Sequence, residues 1–274
     1  MNKNLNIILG VVLAGLFICS LGVGVFHISI LEILTGKASA EQAAIFFQIR
    51  LPRTLLACLV GAVLGLSGAA MQGLLRNPLA DSGLLGISGG AVLGAMLALY
   101  SGVTAWGIWL LPAGGFLGAL AAAGLILIFC FRRTSLLGLI LAGTALNTLF
   151  FALGTLLLNF SKNPYAVLEM IYWQMGSFEN RTLEQVLAAF PWMIFGCFLL
   201  LRTAPALRLL TLGEDVARVS GVSMRKTLQF VILGTAFSVG AAVSVCGSIS
   251  FVGLLIPHFM RPLVKHDPDR KSVV

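Results

Sequence analysis

The sequence predicts an all-α fold, a polytopic bundle of transmembrane helices, with residues 1–274 forming a single transmembrane domain. Hydrophobic residues make up 58% of the chain and charged residues only 10%, and the mean hydropathy is +1.00. Soluble domains carry about 25% charged residues, so this chain has too few polar side chains to cover a soluble surface. Glycine pairs such as Gly61/Gly65 and Gly90/Gly94 let helix backbones approach closely in lipid. Such packing indicates helices that move against one another, as in a transporter.

Eight apolar segments are considered as membrane spans. In chain order they are Leu5–Phe26, Thr54–Leu75, Leu84–Tyr100, Val103–Phe131, Ser135–Phe160, Val186–Leu201, Leu228–Cys246 and Phe251–Val264. A helix needs about 20 residues to cross the hydrocarbon layer, so the third, sixth and eighth segments are expected to be tilted, partial or re-entrant. The first segment is too long for the apolar region of a signal peptide and no A-x-A cleavage site follows it, so it is predicted to be a span.

The basic residues predict the orientation of these spans. With the N-terminus in the cytoplasm and alternating spans, most lysines and arginines lie on the cytoplasmic side, and only Lys37, Arg50, Arg53, Lys162 and Arg181 lie outside. This distribution follows the positive-inside rule. The rule also accounts for the net charge of +8 without nucleic acid as a partner.

An internal repeat with inverted topology is faintly visible. Residues 53–61 resemble residues 226–234, and Gly83–Leu85 resembles Gly253–Leu255. In the predicted topology the first copy runs inward and the second outward, as in the inverted repeats of transporters. Apolar sequences also resemble one another by chance, so the repeat is a hypothesis.

Residues 202–227 are predicted to form a cytoplasmic loop. The loop carries charges of both signs, and Gly213 and Gly221 are placed to begin and end a short helix over Glu214–Val219. Acidic residues favour the first turn of a helix, and glycine favours its end. Two interpretations remain open, a solvated connector or a docking surface for a soluble partner protein.

Several short motifs follow one another in a fixed order along the chain. They are Arg50-Leu51-Pro52-Arg53-Thr54, Gly61, Gly65, Gly68, Gln72, Asn77-Pro78-Leu79-Ala80, Gly83-Leu84-Leu85-Gly86, Gly89, Leu141-Ala142-Gly143, Trp173-Gln174-Met175-Gly176-Ser177, Leu212-Gly213-Glu214, Ala217, Gly221-Val222, Gly247, Phe251-Val252-Gly253-Leu254 and Ile256-Pro257-His258. With these motifs the chain, from about residue 45 to about residue 265, resembles the FecCD-type permease subunits of ATP-binding cassette (ABC) importers, which take up iron–siderophores, haem and cobalamin. Ser82 departs from the family pattern, which usually has proline there. Family members also continue through two more spans, to ten in total, so the resemblance implies that the chain is C-terminally incomplete.

The resemblance implies a function and a set of partners. The chain is expected to be the permease subunit of an ABC importer that moves an iron chelate, an iron–siderophore before haem or cobalamin, across the bacterial cytoplasmic (inner) membrane. The family works as a dimer, here expected to be a homodimer, with two cytoplasmic ATPase subunits and an external substrate-binding protein. ATP and Mg²⁺ belong to the ATPase subunits, and no cofactor is expected in this subunit.

The resemblance also assigns roles to residues at the two mouths of the bundle. Arg50 and Arg53 match rim arginines on which an acidic binding protein docks, although both residues also suit an anchor to lipid headgroups. The cytoplasmic gate is expected at Asn77, Leu79, Thr134 and Ser135. For Asn77 and the proline after it, a simple turn between helices is the alternative.

A third set of residues is expected to couple the permease to its ATPase. These residues match the family's coupling helices, which seat in a groove of the ATPase, and they are Gly213, Glu214, Ala217, Arg218, Gly221 and Arg225. Movement of this segment on ATP binding is expected to switch the permease between outward-facing and inward-facing states.

Other function classes find less support in the residues. An ion-gradient-driven secondary transporter is the main alternative, but such proteins often place ionisable residues inside spans, whereas the acidic residues here, Asp81 among them, lie in predicted loops. A membrane enzyme or scaffold is disfavoured because no nucleotide-binding motif, paired carboxylates or nucleophile constellation is recognisable. Gln72 and Asn147 are interpreted as partners in helix–helix hydrogen bonds, and His258 as structural.

Overall fold

The computed structural model describes residues 3–26, 28–132 and 136–263. Its helices are α1 (Lys3–Gly22), α2 (Ile30–Leu34), α3 (Ala40–Ile45), α4 (Leu51–Leu75), α5 (Ile87–Ser101), α6 (Leu110–Arg132), α7 (Leu136–Phe160), α8 (Pro164–Met175), α9 (Leu183–Leu210), α10 (Glu214–Val219), α11 (Met224–Cys246) and α12 (Val252–Leu263). A π-helical segment, Phe46–Arg50, joins α3 to α4, and 3₁₀ turns at Ser82–Leu85 and Val103–Trp106 precede α5 and α6. All regular structure in these described ranges is helical, which confirms the all-α prediction.

Six helical stretches among the described residues are long and apolar enough to cross a membrane: α1, α3 continued by α4, α6, α7, α9 and α11. The helices α5 and α12 are shorter, with 15 and 12 residues. Every apolar segment predicted from the sequence overlaps one of these helices, so the polytopic bundle is confirmed. The sequence analysis did not predict the helix α8, because its 12 residues are too few for a membrane span.

The predicted span 103–131 begins later than expected. The chain first forms a 3₁₀ turn between Gly102 and Gly107, and α6 starts only at Leu110. Hydropathy measures the polarity of side chains and does not distinguish an apolar turn from an apolar helix. Pro112 lies in the first turn of α6, where a missing backbone N–H costs nothing.

The helix α9 is longer than the predicted span 186–201. It runs for 28 residues through two prolines, Pro191 and Pro205. Arg202 and Arg208 lower the hydropathy at its end without interrupting the helix. Residues 202–210 of the predicted loop are therefore helical, and the connector between α9 and α11 spans only residues 211–223, with α10 inside it.

The helices α4 and α11 form the centre of the bundle. In the most apolar 18-residue stretch of each span, 56% of the residues are buried in the span that contains α4 and 78% in α11. In α1 the buried share is 6%. Leu56 and Met71 of α4 and Val231 and Ile232 of α11 are fully buried. The helices α5, α6, α9 and α12 pack around this pair, and α1 lies at the periphery.

Close glycine contacts join the helices, as the spacing predicted, but not at every predicted position. The helices α5 and α6 meet where Gly90 and Gly94 face Gly118, and a Cβ atom on Gly118 would overlap the Gly90 carbonyl. Gly65 of α4 faces Ile256 of α12. The prediction for Gly61 is wrong, because no atom of another element lies within 4 Å of the position its Cβ would take.

Two connectors fold back into the bundle. Residues 76–86 join α4 to α5, and residues 247–251 join α11 to α12. Gly253, at the start of α12, contacts Gly68, which lies two turns before the end of α4. The 3₁₀ turn before α5 contacts Gly143 of α7. Both short helices therefore begin inside the bundle, which explains why they are shorter than a full span.

Candidate functional site

The Arg50 side chain holds α1 against the bundle. It is only 8% exposed, and its guanidinium donates hydrogen bonds to the main-chain carbonyls of Leu21, Gly22 and Phe26. The last carbonyls of a helix have no partner within that helix, and an arginine there also suits the negative end of the helix dipole. Nearby, the hydroxyls of Ser20 and Thr54 lie 2.9 Å apart. The sequence missed this role because it depends on residues far away in the chain.

This geometry divides the two arginines that were expected to dock a binding protein. Arg53 is exposed, so its charge is available to a partner. Arg50 is buried and its guanidinium contacts main-chain carbonyls, so it is not presented to a partner in this structure. Of the two arginines expected to form the docking rim, only Arg53 is exposed as that role requires. Whether it contacts a binding protein stays a prediction.

The expected gate residues of the connector 76–86 lie on one exposed turn. Arg76 ends α4 in a left-handed conformation, with φ 49° and ψ 32°, which costs an L-residue about 1–2 kcal/mol. The Asn77 side-chain oxygen then accepts a hydrogen bond from the Leu79 N–H at 3.0 Å. Leu79 is 66% exposed. The other two expected gate residues, Thr134 and Ser135, lie outside the described residues.

The same connector carries a carboxylate into the bundle. Asp81 is partly buried, its Oδ1 atom accepts a hydrogen bond from the Ser82 hydroxyl, and the same atom lies 3.1 Å from the position of a Cβ on Gly253. Asp81 therefore lies in a loop, as predicted, but in a loop that turns toward the bundle and partly buries the carboxylate. Hydropathy did not reveal the burial of Asp81, because a connector that folds back into the bundle has the same polar composition as a surface loop.

A cavity of about 450 Å³ opens beside Asp81. Its polar lining includes Ser88 of α5, Asn147 of α7, Gln174 of α8 and Ser250 of the connector 247–251. Phe251, at the end of that connector, has a φ of 69°, a value that non-glycine residues rarely adopt. Asn147, interpreted as a helix-packing residue, thus also faces a cavity.

The connector 247–251 is fastened to the end of α8. The Ser248 N–H donates to the Trp173 carbonyl at 3.1 Å, and the Ser177 N–H donates to the Cys246 carbonyl at 2.7 Å. A Cβ atom on Gly247 would overlap the Trp173 carbonyl, so only glycine permits this approach. The motif at residues 173–177 and the segment at residues 246–248, which are far apart in the sequence, are therefore hydrogen-bonded to each other.

One exposed face of α7 is polar. Thr144, Thr148, Thr155 and Asn159 follow one another at intervals of one or two helical turns, and each donates a side-chain hydrogen bond to a carbonyl of its own helix. All four side chains are exposed. Polar residues in membrane helices usually face a partner or water rather than lipid. This face is therefore a candidate wall of a pathway.

The segment expected to contact an ATPase forms a capped helix. Gly213, with φ 118°, precedes Glu214 at the start of α10, and Gly221, with φ 85°, follows its end, so the predicted start and stop are confirmed. The Gly221 N–H bonds to the Arg218 carbonyl and the Val222 N–H to the Ala217 carbonyl, the two bonds of a Schellman cap. Ala217 is 1% exposed and packs on the core, whereas Asp215 and Arg218 are exposed.

An ion pair joins this helix to the end of α4. The Arg76 Nη2 atom lies 3.1 Å from Glu214 Oε1, and both side chains are partly exposed. Elsewhere, Gln72 donates to the Leu254 carbonyl and accepts from Arg261, so its predicted role between helices is confirmed. Within the described residues, no group of three or more His, Cys, Asp or Glu side chains is placed to hold a metal ion.

Comparison with known proteins relates this geometry to a family. The model of the FecCD transport family matches residues 11–274. The chain is 40% identical over 223 residues to the vitamin B12 import system permease protein BtuC of Klebsiella pneumoniae, across 81% of this chain and 67% of that protein. It is 37% identical over 255 residues to the molybdate import system permease protein MolB of Haemophilus influenzae, across 90% of this chain and 75% of that protein.

A solved structure supports the same relationship. A metal-chelate type ABC transporter in an inward-facing conformation matches this fold with a TM-score of 0.86 and 34% sequence identity. The match covers 96% of this chain and 82% of that chain. Sequence and fold therefore agree, and the chain belongs to the FecCD transport family.

Proposed function

We propose that this chain is the permease subunit of an ABC importer that carries a metal chelate across the bacterial cytoplasmic membrane, with its N-terminus in the cytoplasm. The observation that carries the proposal is the family match over residues 11–274 on a multi-span bundle. The capped helix α10 supports it, because a partner ATPase needs a rigid, exposed element on which to act. ATP and Mg²⁺ are assigned to that partner.

The cargo we propose is an iron chelate, with a siderophore as the ligand of iron. This proposal is supported by the kind of cargo named for related proteins, since one related structure is that of a metal-chelate type ABC transporter. Relatives named for vitamin B12 and for molybdate also handle metal-containing compounds. Haem and cobalamin are therefore the other cargoes to test.

Two copies of the chain are proposed to face each other across the polar side of α7. Thr148 and Phe151 on this side also border the cavity beside Asp81, so a path between two copies would be continuous with that cavity. At the outer end of α4, Arg53 is proposed to contact an acidic surface of the external binding protein. Charged rims of this kind mainly steer encounter and fix register.

Reconstitution tests the function. The chain, its ATPase and its binding protein are placed in proteoliposomes, and uptake of radiolabelled ferric siderophore, haem, cobalamin and molybdate is measured with and without ATP. We expect ATP-dependent uptake of one metal chelate and none with an ATPase that cannot hydrolyse ATP. Uptake of molybdate alone would contradict the proposed cargo.

The ion-gradient alternative is tested in the same vesicles. The position of Asp81 inside the bundle is the observation in its favour, since intramembrane carboxylates often carry protons or cations. An ionophore that collapses the proton and sodium gradients should leave ATP-driven uptake unchanged. Uptake that needs a gradient and persists without ATP would overturn the proposed function in favour of a secondary transporter.

A further inference from the structure

The ion pair between Arg76 and Glu214 connects two segments that differ in their expected roles. Arg76 begins the connector 76–86, which contains the expected gate residues Asn77 and Leu79. Glu214 is the first residue of α10, the expected ATPase contact. The guanidinium and carboxylate atoms are 3.1 Å apart, so the two segments are in direct contact although their residues are 138 positions apart in the chain.

On the α4 side, Arg76 controls the direction in which the chain leaves the helix. Its left-handed backbone ends α4, and the next residue, Asn77, folds the chain into the turn that presents Leu79. A change at Arg76 is therefore passed directly to this turn.

On the other side, α10 is a short helix whose two ends are well defined. Its Schellman cap and the buried side chain of Ala217 hold the helix together and against the core. Gly213 and Gly221 flank it with positive φ angles, which glycine adopts without strain. Glu214, as the first residue, moves with the helix.

We propose that the Arg76–Glu214 pair is the link through which movement of α10 reaches the gate turn. The inference rests on the proposed function, because it assumes that an ATPase moves α10. Arg76 and Glu214 act as positioning residues, since they set the geometry of the connector and do not contact the cargo. Both side chains are more than 40% exposed, and an exposed pair changes an equilibrium by about fivefold at most. Such a pair can break and reform in each transport cycle.

A charge swap tests the link. In proteoliposomes with the ATPase and binding protein, the measured quantity is cargo transported per ATP hydrolysed. Arg76→Glu and Glu214→Arg should each lower this ratio by about fivefold, and the double variant R76E/E214R should return it to within about twofold of wild type. The matched control is R76E/D215R, in which the same charge change is placed on the exposed neighbour Asp215 and should restore nothing.

A second readout does not depend on transport. Spin labels are attached to L79C and V216C, both exposed positions, in a chain whose five native cysteines are replaced. The distance distribution should be narrow with the native pair, broader in R76E and narrow again in R76E/E214R. If the swap restores neither the distribution nor the transport ratio, the link is wrong. If wild type shows no ATP-driven uptake, the proposed function fails, and the label distances alone decide whether the link exists.

Discussion

The two ends of α4 each carry an arginine that reaches another segment, but the two arginines are in opposite environments. At the N-terminal end, Arg50 is 8% exposed and donates to three main-chain carbonyls. At the C-terminal end, Arg76 is 44% exposed and contacts one carboxylate oxygen of Glu214. The same residue type therefore makes a buried clamp at one end and a solvent-screened pair at the other.

This difference indicates at which end of α4 the arginine contact is permanent and at which end it can be exchanged. A buried charge is costly unless all its hydrogen bonds are made, so the Arg50 contacts must persist for α1 to stay in place. An exposed pair competes with water and salt, so the Arg76 contact is easily exchanged. The N-terminal end of α4 is the fixed end, and the C-terminal end, next to the connector 76–86, is the adjustable one.

The largest expected effect follows from Arg50→Ala. Removing the guanidinium leaves the Leu21 and Gly22 carbonyls of α1 without this partner, and we expect the docking of α1 to weaken by about 1–3 kcal/mol for each of them. The measurement is the disulfide equilibrium between S20C and T54C in a redox buffer, because the hydroxyls of these residues are 2.9 Å apart. The native cysteines Cys19 and Cys58 are replaced beforehand.

Arg53→Ala is the control for this change. It removes an exposed arginine three residues away, and the disulfide equilibrium should stay at the wild-type value. Equal disulfide formation in the Arg50→Ala and Arg53→Ala variants would show that Arg50 does not clamp α1.

A smaller effect is expected from glycine substitutions along α4. In Gly68→Ala the new methyl group would overlap the Gly253 carbonyl, and overpacking of this kind costs about 1–3 kcal/mol. Gly61→Ala on the same helix meets no neighbouring atom within 4 Å, so it should be neutral or stabilise by up to about 1 kcal/mol. Thermal unfolding in detergent compares the two variants. A Gly68→Ala variant as stable as Gly61→Ala would show that α12 does not pack on α4 as described.

The smallest effect on stability is expected from Arg76→Ala. Because the pair with Glu214 is exposed, the free energy of unfolding should fall by less than about 1 kcal/mol. The unfolding midpoint in detergent, measured at low and high salt, should differ little from wild type. A loss as large as that of Arg50→Ala would show that both ends of α4 are clamped and would remove the contrast between them.

Local patterns predicted much of the fold. Each apolar segment became a helix, and Gly213 and Gly221 marked the limits of α10, because helix capping and hydropathy depend on neighbouring residues. The end of α9 was predicted too early, since Arg202 and Arg208 lower hydropathy while remaining helical. Of the expected site residues, Asn77 and Leu79 share one turn and Arg53 is exposed, whereas Arg50 is buried.

By itself, the sequence determined that this protein is a polytopic helical permease of the FecCD type, because composition, apolar segments and ordered motifs are properties of the chain alone. Only the tertiary structure decided that Arg50 clamps α1, that Asp81 lies inside the bundle and that Arg76 pairs with Glu214. These three facts join residues that are 24 to 172 positions apart in the chain, from the Arg50 contact with Phe26 to the Asp81 contact with Gly253. Whether a charge is buried, and by what it is satisfied, depends on how distant segments pack.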